Sequence, residues 1–249
     1  MEDVSVEIAG PVATLAFGNG ERFNALGMDQ WEALERAARE LAGEESVRAV
    51  VVRGRGGVFC AGSDLREWEG ADSEEVSRRF WRLEQALRAI EDLPMPTVAV
   101  VEGVAAGGGC QLALACDLQL TATSAKVGMP ISRLGILVSS SFAARLSLRM
   151  GPARTKDLLY SGRMLPAEEA HAIGLVTTLV PDDELDSALA GLLETWTGHS
   201  QRSLRAAKAA VDQGLRPLLE PIRQEPPGLA ADPHEFPRRI AAFLHRRRG

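Results

Sequence analysis

Apolar and polar residues alternate at the start of the chain: Val4, Val6 and Ile8, a break at Gly10 and Pro11, then Val12, Leu15 and Phe17. That period predicts two short antiparallel strands, because successive side chains of a strand point to opposite faces. From Met28 to Ala42 the spacing widens to Trp31, Leu34, Ala38 and Leu41, the stripe of a helix. Val47 to Val52 is almost continuous in β-branched residues, and 97–101 and 118–121 read similarly. Such runs predict neighbouring strands of one sheet covered on both faces. Between them Val76, Phe80, Leu83, Leu87 and Ile90 form a helical stripe that ends at Pro94 and Pro96. The recurring order of strand, turn and helix predicts an α/β fold.

Beyond Pro130 the pattern changes to helical segments, near 139–150, 153–161, 167–173, 183–197 and 200–214. A proline-rich break at 225–233 precedes a last helical stretch, "HEFPRRIAAFLHRRRG", with five arginines. Those arginines raise the question of an anion site, although a basic end that complements the helix dipole and stays solvated accounts for them. With no fixed-period repeat and no clear linker, 1–249 reads as a single domain. Its parts are an α/β core over 1–182 and a helical C-terminal part over 183–249.

Composition narrows the classes of function. A chain with 45% hydrophobic residues can bury a sizeable core. A net charge of -6 leaves no basic excess to displace counterions, so nucleic acid is not an expected partner. Cys60, Cys110 and Cys116 show no CxxC spacing and sit on apolar runs. They read as buried reduced thiols rather than a disulfide or a metal set, which favours the cytoplasm. The opening "MEDVSVEIAG" lacks the pattern of a signal peptide, and no apolar run reaches membrane-spanning length. No metal and no membrane are expected.

Two glycine turns carry the chemistry. "FCAGSDLREW" and "VEGVAAGGGCQLALACDL" each follow an apolar strand and lead toward a helix. The turn around Gly62 would leave the Ser63 N–H free, and the Gly108 N–H would be free in the first turn of the helix 107–115. Two backbone N–H groups aimed at one point stabilise a carbonyl oxygen as it becomes negative. Either turn alone is also consistent with close packing.

Together with "RFNAL" at 22–26 and "LLYSGRMLPAEEAHAIGLVTTLVP" at 158–181, these stretches resemble the crotonase superfamily, the enoyl-CoA hydratase/isomerase family, over most of the chain and in the family's order. The resemblance implies a crotonase-like superhelix of strand-strand-helix repeats with a helical C-terminal region that forms trimers or hexamers. It implies an acyl-CoA or acyl-carrier thioester as substrate, no separate cofactor, and an enolate intermediate held by the N–H groups of Ser63 and Gly108. By the same likeness Arg22, Ala25, Leu26, Ala61, Asp64, Leu65 and Arg66 would line the path of CoA. By that likeness Ala106, Gly107, Pro130, Ile131 and Leu134 would also contact the substrate.

The departures from the family pattern are as informative. Hydratases of the family carry one glutamate just after the GGGC turn and another just after the proline of the next loop, where this chain has Gln111 and Ile131. Gln111 cannot accept a proton near neutral pH, and Ile131 cannot hydrogen-bond through its side chain. The loop "ILVSSSFAARL" at 136–146 is also bulkier than the family's glycine-rich run, above all at Phe142. No replacement base stands out. Asp64 reads as a helix cap, and Ser63 lacks a GxSxG context or a histidine partner. The serines 132, 139, 140 and 141 are poor bases. His234 resembles the C-terminal histidine of crotonase-like decarboxylases, without their lysine, and a surface position fits it better. The sequence therefore favours a thioester enolate enzyme that decarboxylates or isomerises rather than hydrates. A non-catalytic acyl-CoA-binding protein and a hydratase with altered residues stand as alternatives.

Overall fold

The computed structural model describes residues 3–224 and 228–246. Val4–Ala9 (β1) and Val12–Phe17 (β2) pair antiparallel, as the alternation requires. In β2 the alternate residues Ala13, Leu15 and Phe17 are fully buried, whereas β1 lies at the sheet edge with Val6 and Ile8 exposed. Met28–Ala42 (α1) buries Trp31, Leu34, Ala38 and Leu41, the stripe read from the sequence. Ala49–Gly54 (β3) begins two residues later than the β-branched run, and it buries Val50, Val51 and Val52 on both faces. Ser73–Glu91 (α2) stops before the two prolines and is capped by Asp72, whose side chain accepts from the Glu75 N–H.

Thr97–Val101 (β4), Val104–Ala106 (β5), Gly108–Ala115 (α3), Leu118–Ala122 (β6) and Lys126–Gly128 (β7) follow. The main sheet runs β1-β2-β3-β4-β6 and ends in a short strand, Thr178–Val180 (β9); every pair after β1–β2 is parallel. Beside it runs a second ladder that sets up the site. Leu26 bridges Ser63, Cys60 bridges Ala105, and β5 pairs with β7, all parallel. Met164–Pro166 (β8) then closes that ladder antiparallel to β7. The strands β2, β3, β4 and β6 of the main sheet are thus each followed by an extended piece in the second ladder, and the chain winds as the superhelix of strand-strand-helix repeats that the resemblance implies.

The remaining helices are Ser140–Met150 (α4), Pro152–Ser161 (α5), Ala167–Ala172 (α6), Leu185–Gly198 (α7), Gln201–Arg223 (α8) and Glu235–Arg246 (α9). The second half is mainly helical, but β8 and β9 were not legible in its pattern. They are three residues each, too short to show a period of two. The helix starting at 201 runs nine residues past the expected Gly214, through Pro217 and Pro221. No residue of α8 is buried, so water can satisfy the carbonyls that the two prolines leave without an N–H. No helix among the described residues is long and apolar enough to cross a membrane.

The last helix returns to the core. Phe236, Ile240 and Leu244, four apart, are buried, and α9 packs on the 3-10 turns 65–68 and 130–134. Just before it, Leu137 N–H donates to Ala230 and Asp232 N–H to Gly135, clipping the tail to the segment that follows the turn 130–134. Arg238 donates to the His234 carbonyl just ahead of α9, and Arg239 pairs with Glu235 and reaches the Arg133 carbonyl. Arg247 and Arg248 lie outside the described residues.

Candidate active site

The first glycine turn is tied on both sides. Cys60 N–H donates to Val104 at 2.8 Å and Ala106 N–H to Cys60 at 2.9 Å, while Leu26 N–H donates to Gly62 and Asp64 N–H to Leu26, each at 2.8 Å. Successive N–H groups of extended chain point to opposite sides. With Asp64 N–H spent on the Leu26 side, Ser63 N–H faces the other way, and it has no acceptor among the described residues. Gly62, at φ +97°, rests on the second turn: a β-carbon there would lie 2.8 Å from the Ala106 carbonyl oxygen and 3.2 Å from the Gly108 nitrogen.

The second turn reverses at Gly107 (φ 54°, ψ -118°), a conformation that excludes a side chain. Gly107 N–H donates to Gly128 at 2.9 Å, and its carbonyl accepts from Gln111 N–H at 3.0 Å, which opens α3. Gly108 N–H is therefore one of the orphan donors of the helix start, at its positive end, again with no acceptor among the described residues. Trp31 and Leu83 close the space behind Gly108, and a β-carbon there would stand 3.2 Å and 3.0 Å from them. Two unspent backbone donors are thus fixed on segments whose backbones touch.

The walls differ in polarity. Ile131 is buried, with its Cγ2 3.9 Å from where a β-carbon on Gly107 would be. Gln111 is fully buried one turn along α3. Its Nε2 donates to the Phe142 carbonyl at 3.4 Å and toward Met129 Sδ at 3.7 Å, while its Oε1 accepts from Arg145 Nη1 at 3.4 Å. Arg145 is buried between two carboxylates. Nη1 and Nη2 bind Glu84 at 2.9 Å and 2.8 Å, and Nε and Nη2 bind Glu91 at 2.6 Å and 3.2 Å. Burial pushes the Glu84 carboxyl up, but Arg145 and Arg88 outweigh it and hold the group below the usual glutamate range. Glu84 is therefore a locked carboxylate, with both oxygens taken by guanidinium groups.

At the other end, "RFNAL" forms a left-handed turn, with φ of 50°, 56° and 52° at Arg22, Phe23 and Asn24. The buried Asn24 amide holds it: Oδ1 accepts from Gly20 N–H at 2.8 Å, and Nδ2 donates to the Arg55 and Val58 carbonyls at 2.8 Å and 2.7 Å. The turn is joined to the first glycine turn by the Ala61 N–H bond to Phe23. Asp64 caps the turn Leu65–Trp68 by accepting from Arg66 N–H at 3.1 Å, and it also ion-pairs with Arg22 at 2.7 Å and Arg66 at 2.5 Å. Arg22, Ala25, Leu26, Ala61, Asp64, Leu65 and Arg66 consequently share one edge. Pro130, Ile131 and Leu134 share the 3-10 turn against α9, and Ile131 reaches Gly107.

His234 is exposed ahead of α9, with its N–H on Asp232, and is not bonded to Gln111, Arg145 or Asp64. The three cysteines are free and buried, and burial raises the Cys60 and Cys110 thiols to about 12, so neither is a nucleophile. A cavity of about 250 Å³ lies beyond Phe142, bounded by Phe80, Trp81, Glu84, Arg88 and Ser139. A larger cleft of about 960 Å³ separates α8 from α4 and contains none of the glycine-turn residues.

Sequence reading missed the Glu84–Arg145–Glu91 cluster and the role of Asn24. The seven-residue spacing of Glu84 and Glu91, two turns apart on α2 beside its apolar stripe, was the available signal for the first. For the second it was an asparagine, a residue that tolerates the left-handed conformation.

A family model described as enoyl-CoA hydratase/isomerase matches residues 7–230. The chain is 34% identical over 197 residues to the mitochondrial methylglutaconyl-CoA hydratase of Mus musculus, a match covering 77% of this chain and 63% of the mouse protein. It thus spans less than two thirds of that relative's length. It is 30% identical to a crotonyl-CoA hydratase of Syntrophomonas wolfei, covering 99% of this chain and 96% of that one. Among solved structures, an enoyl-CoA hydratase from Mycobacterium avium subsp. paratuberculosis superposes with a TM-score of 0.87 at 26% identity, over 98% of this chain and 96% of its own.

Proposed function

The chain belongs to the enoyl-CoA hydratase/isomerase family, and within it we propose an enzyme that binds an acyl-CoA thioester, stabilises its enolate between Ser63 N–H and Gly108 N–H, and releases CO2 rather than adding water. The observation that carries this reading is the pair of unspent N–H donors on two backbones in contact. A thioester oxygen placed between them gains hydrogen bonds that strengthen as it becomes an oxyanion.

Decarboxylation fits the rest of the site. In a malonyl-type thioester the bond from C2 to the carboxylate breaks and its electron pair moves into the enolate. CO2 leaves, and water supplies the proton that C2 then takes up. No side chain has to remove a C–H proton. Hydration in this family uses two glutamates, and the positions that resemble theirs hold Gln111 and Ile131. The Gln111 oxygen is also turned onto Arg145, and as a neutral amide it cannot take the proton of an attacking water.

Arg22 and Arg66, gathered on Asp64 beside the first turn, fit the path of CoA and its phosphates. Isomerisation would need a base that no described group supplies. Hydration is the second reading, favoured by the names of the relatives, and a carrier that binds without turnover is the third. The apolar positions Val211 and Leu218 of α8, exposed at 63% and 62% within one chain, favour assembly with further copies.

The test offers purified protein a panel of 2-enoyl-CoA and malonyl-type CoA thioesters and identifies products by mass spectrometry. Loss of CO2 supports the proposal. Water added to the enoyl-CoA overturns it in favour of hydration, and binding without any product leaves the carrier reading.

A further inference from the structure

We propose that Arg145 orients the Gln111 amide as a hydrogen-bond donor to the bound thioester, and that this donor selects acyl groups carrying a carboxylate on the carbon next to the thioester carbonyl. The inference rests on the enolate-binding reading above and deepens it with a positioning residue, Arg145, and a contact residue, Gln111.

A guanidinium has five N–H donors and no acceptor. In Arg145 two donate to Glu84, two to Glu91, and the fifth donates to Gln111 Oε1 at 3.4 Å. The opposite orientation of the amide would set N–H against N–H, so the donor-only guanidinium fixes the oxygen on its side. The NH2 group is left facing Met129 Sδ at 3.7 Å and the Phe142 carbonyl at 3.4 Å. Both contacts are long, and a thioether is a weak acceptor. Gln111 and Met129 are both fully buried, so an anionic oxygen meets the amide only where it displaces this weakly held sulfur, on the side of Ile131.

Two further effects favour a carboxylate. A cation bonded to the amide oxygen polarises the amide and strengthens its N–H as a donor. Gln111 also lies within one helical turn of the Gly108 N–H that would hold the thioester oxygen. One donor holds a carboxylate oxygen while Ile131 leaves the rest of the group poorly solvated, an arrangement that favours its departure as neutral CO2. A glutamate at position 111 would instead present acceptor oxygens and repel the same group.

The experiment compares malonyl-CoA with butyryl-CoA, the first as KM where CO2 is released and as Kd where it is not. Gln111→Met keeps the length of the side chain without its N–H. Arg145→Lys keeps the charge but has too few donors for Gln111. In both variants the preference for malonyl-CoA over butyryl-CoA should fall about tenfold, the loss of one charge-assisted hydrogen bond. A merely structural role would weaken both ligands together and leave the ratio unchanged. Gln111→Met tests the donor even if Arg145→Lys does not fold. An unchanged ratio in Gln111→Met, or a native protein that binds butyryl-CoA without preferring malonyl-CoA, overturns the inference alone. A native protein that binds neither ligand overturns the enolate-binding reading as well.

Discussion

Cys60 and Gly109 meet backbone to backbone: a β-carbon on Gly109 would lie 2.1 Å from the Cys60 carbonyl oxygen. That carbonyl also accepts from Ala106 N–H, so it cannot move aside without breaking the ladder that joins the two turns. Gly109→Ala should therefore destabilise the fold by about 3 kcal/mol, as overpacking does when the neighbour is main chain, and should weaken butyryl-CoA binding. Gly191→Ala provides the contrast. It lies inside α7 with open space around its Cα, so alanine there should stabilise by about 0.5–1 kcal/mol. Thermal unfolding of both variants checks the pair.

Asn24 holds three consecutive left-handed residues by donating to main-chain carbonyls from a buried amide. Asn24→Ala should cost about 2–4 kcal/mol, since several polar groups lose their partner at once. Asn24→Asp would aim a carboxylate at the same carbonyls, which raises its pKa in the folded state above that in the unfolded state. The folded state then binds the extra proton, so the variant's stability should fall as pH rises through the acid range and recover on acidification. Urea unfolding between pH 4 and pH 8 distinguishes the two variants.

Glu84 is held ionised by Arg145 and Arg88 despite its burial. Its folded pKa lies below the ordinary glutamate value of 4.5, so its contribution to stability is fully present above pH 4.5 and is lost as pH falls from there through the folded pKa. Glu84→Gln should cost about 3 kcal/mol at pH 7, because it removes one partner of a buried ion pair. It should also flatten the loss of stability in acid. A melting series from pH 3 to pH 7 on both proteins shows whether the slope changes.

The parts of this molecule with regular periods were legible from residues alone. The stripe of α1 and the β-branched β3 each had one burial pattern compatible with their sequence, and the structure places them accordingly. The glycine turns were legible because Gly62, Gly107 and Gly109 sit where only glycine fits. What escaped notice depends on long-range contact. β5 and β7 are three residues each and exist because of the ladder beside them, and α8 continues through two prolines because its backbone is open to water. Gln111 was visible as a residue that is not a glutamate, but the direction of its amide comes from Arg145, 34 residues away in sequence. Asp64 shows the same limit, since its cap was legible but its pairing with Arg22, 42 residues earlier, was not.

In the proposed reaction the Gly108 N–H stabilises the enolate oxygen. Gly108 opens α3, a position where proline keeps a helical φ and removes the N–H without costing an intrahelical bond. Gly108→Ala adds similar bulk against Leu83 and Trp31 but keeps the donor. The rate of CO2 release from malonyl-CoA, measured for the two variants side by side, should be about 100-fold lower in Gly108→Pro than in Gly108→Ala, the usual cost of one oxyanion donor. Equal rates in the two folded variants would contradict the assignment.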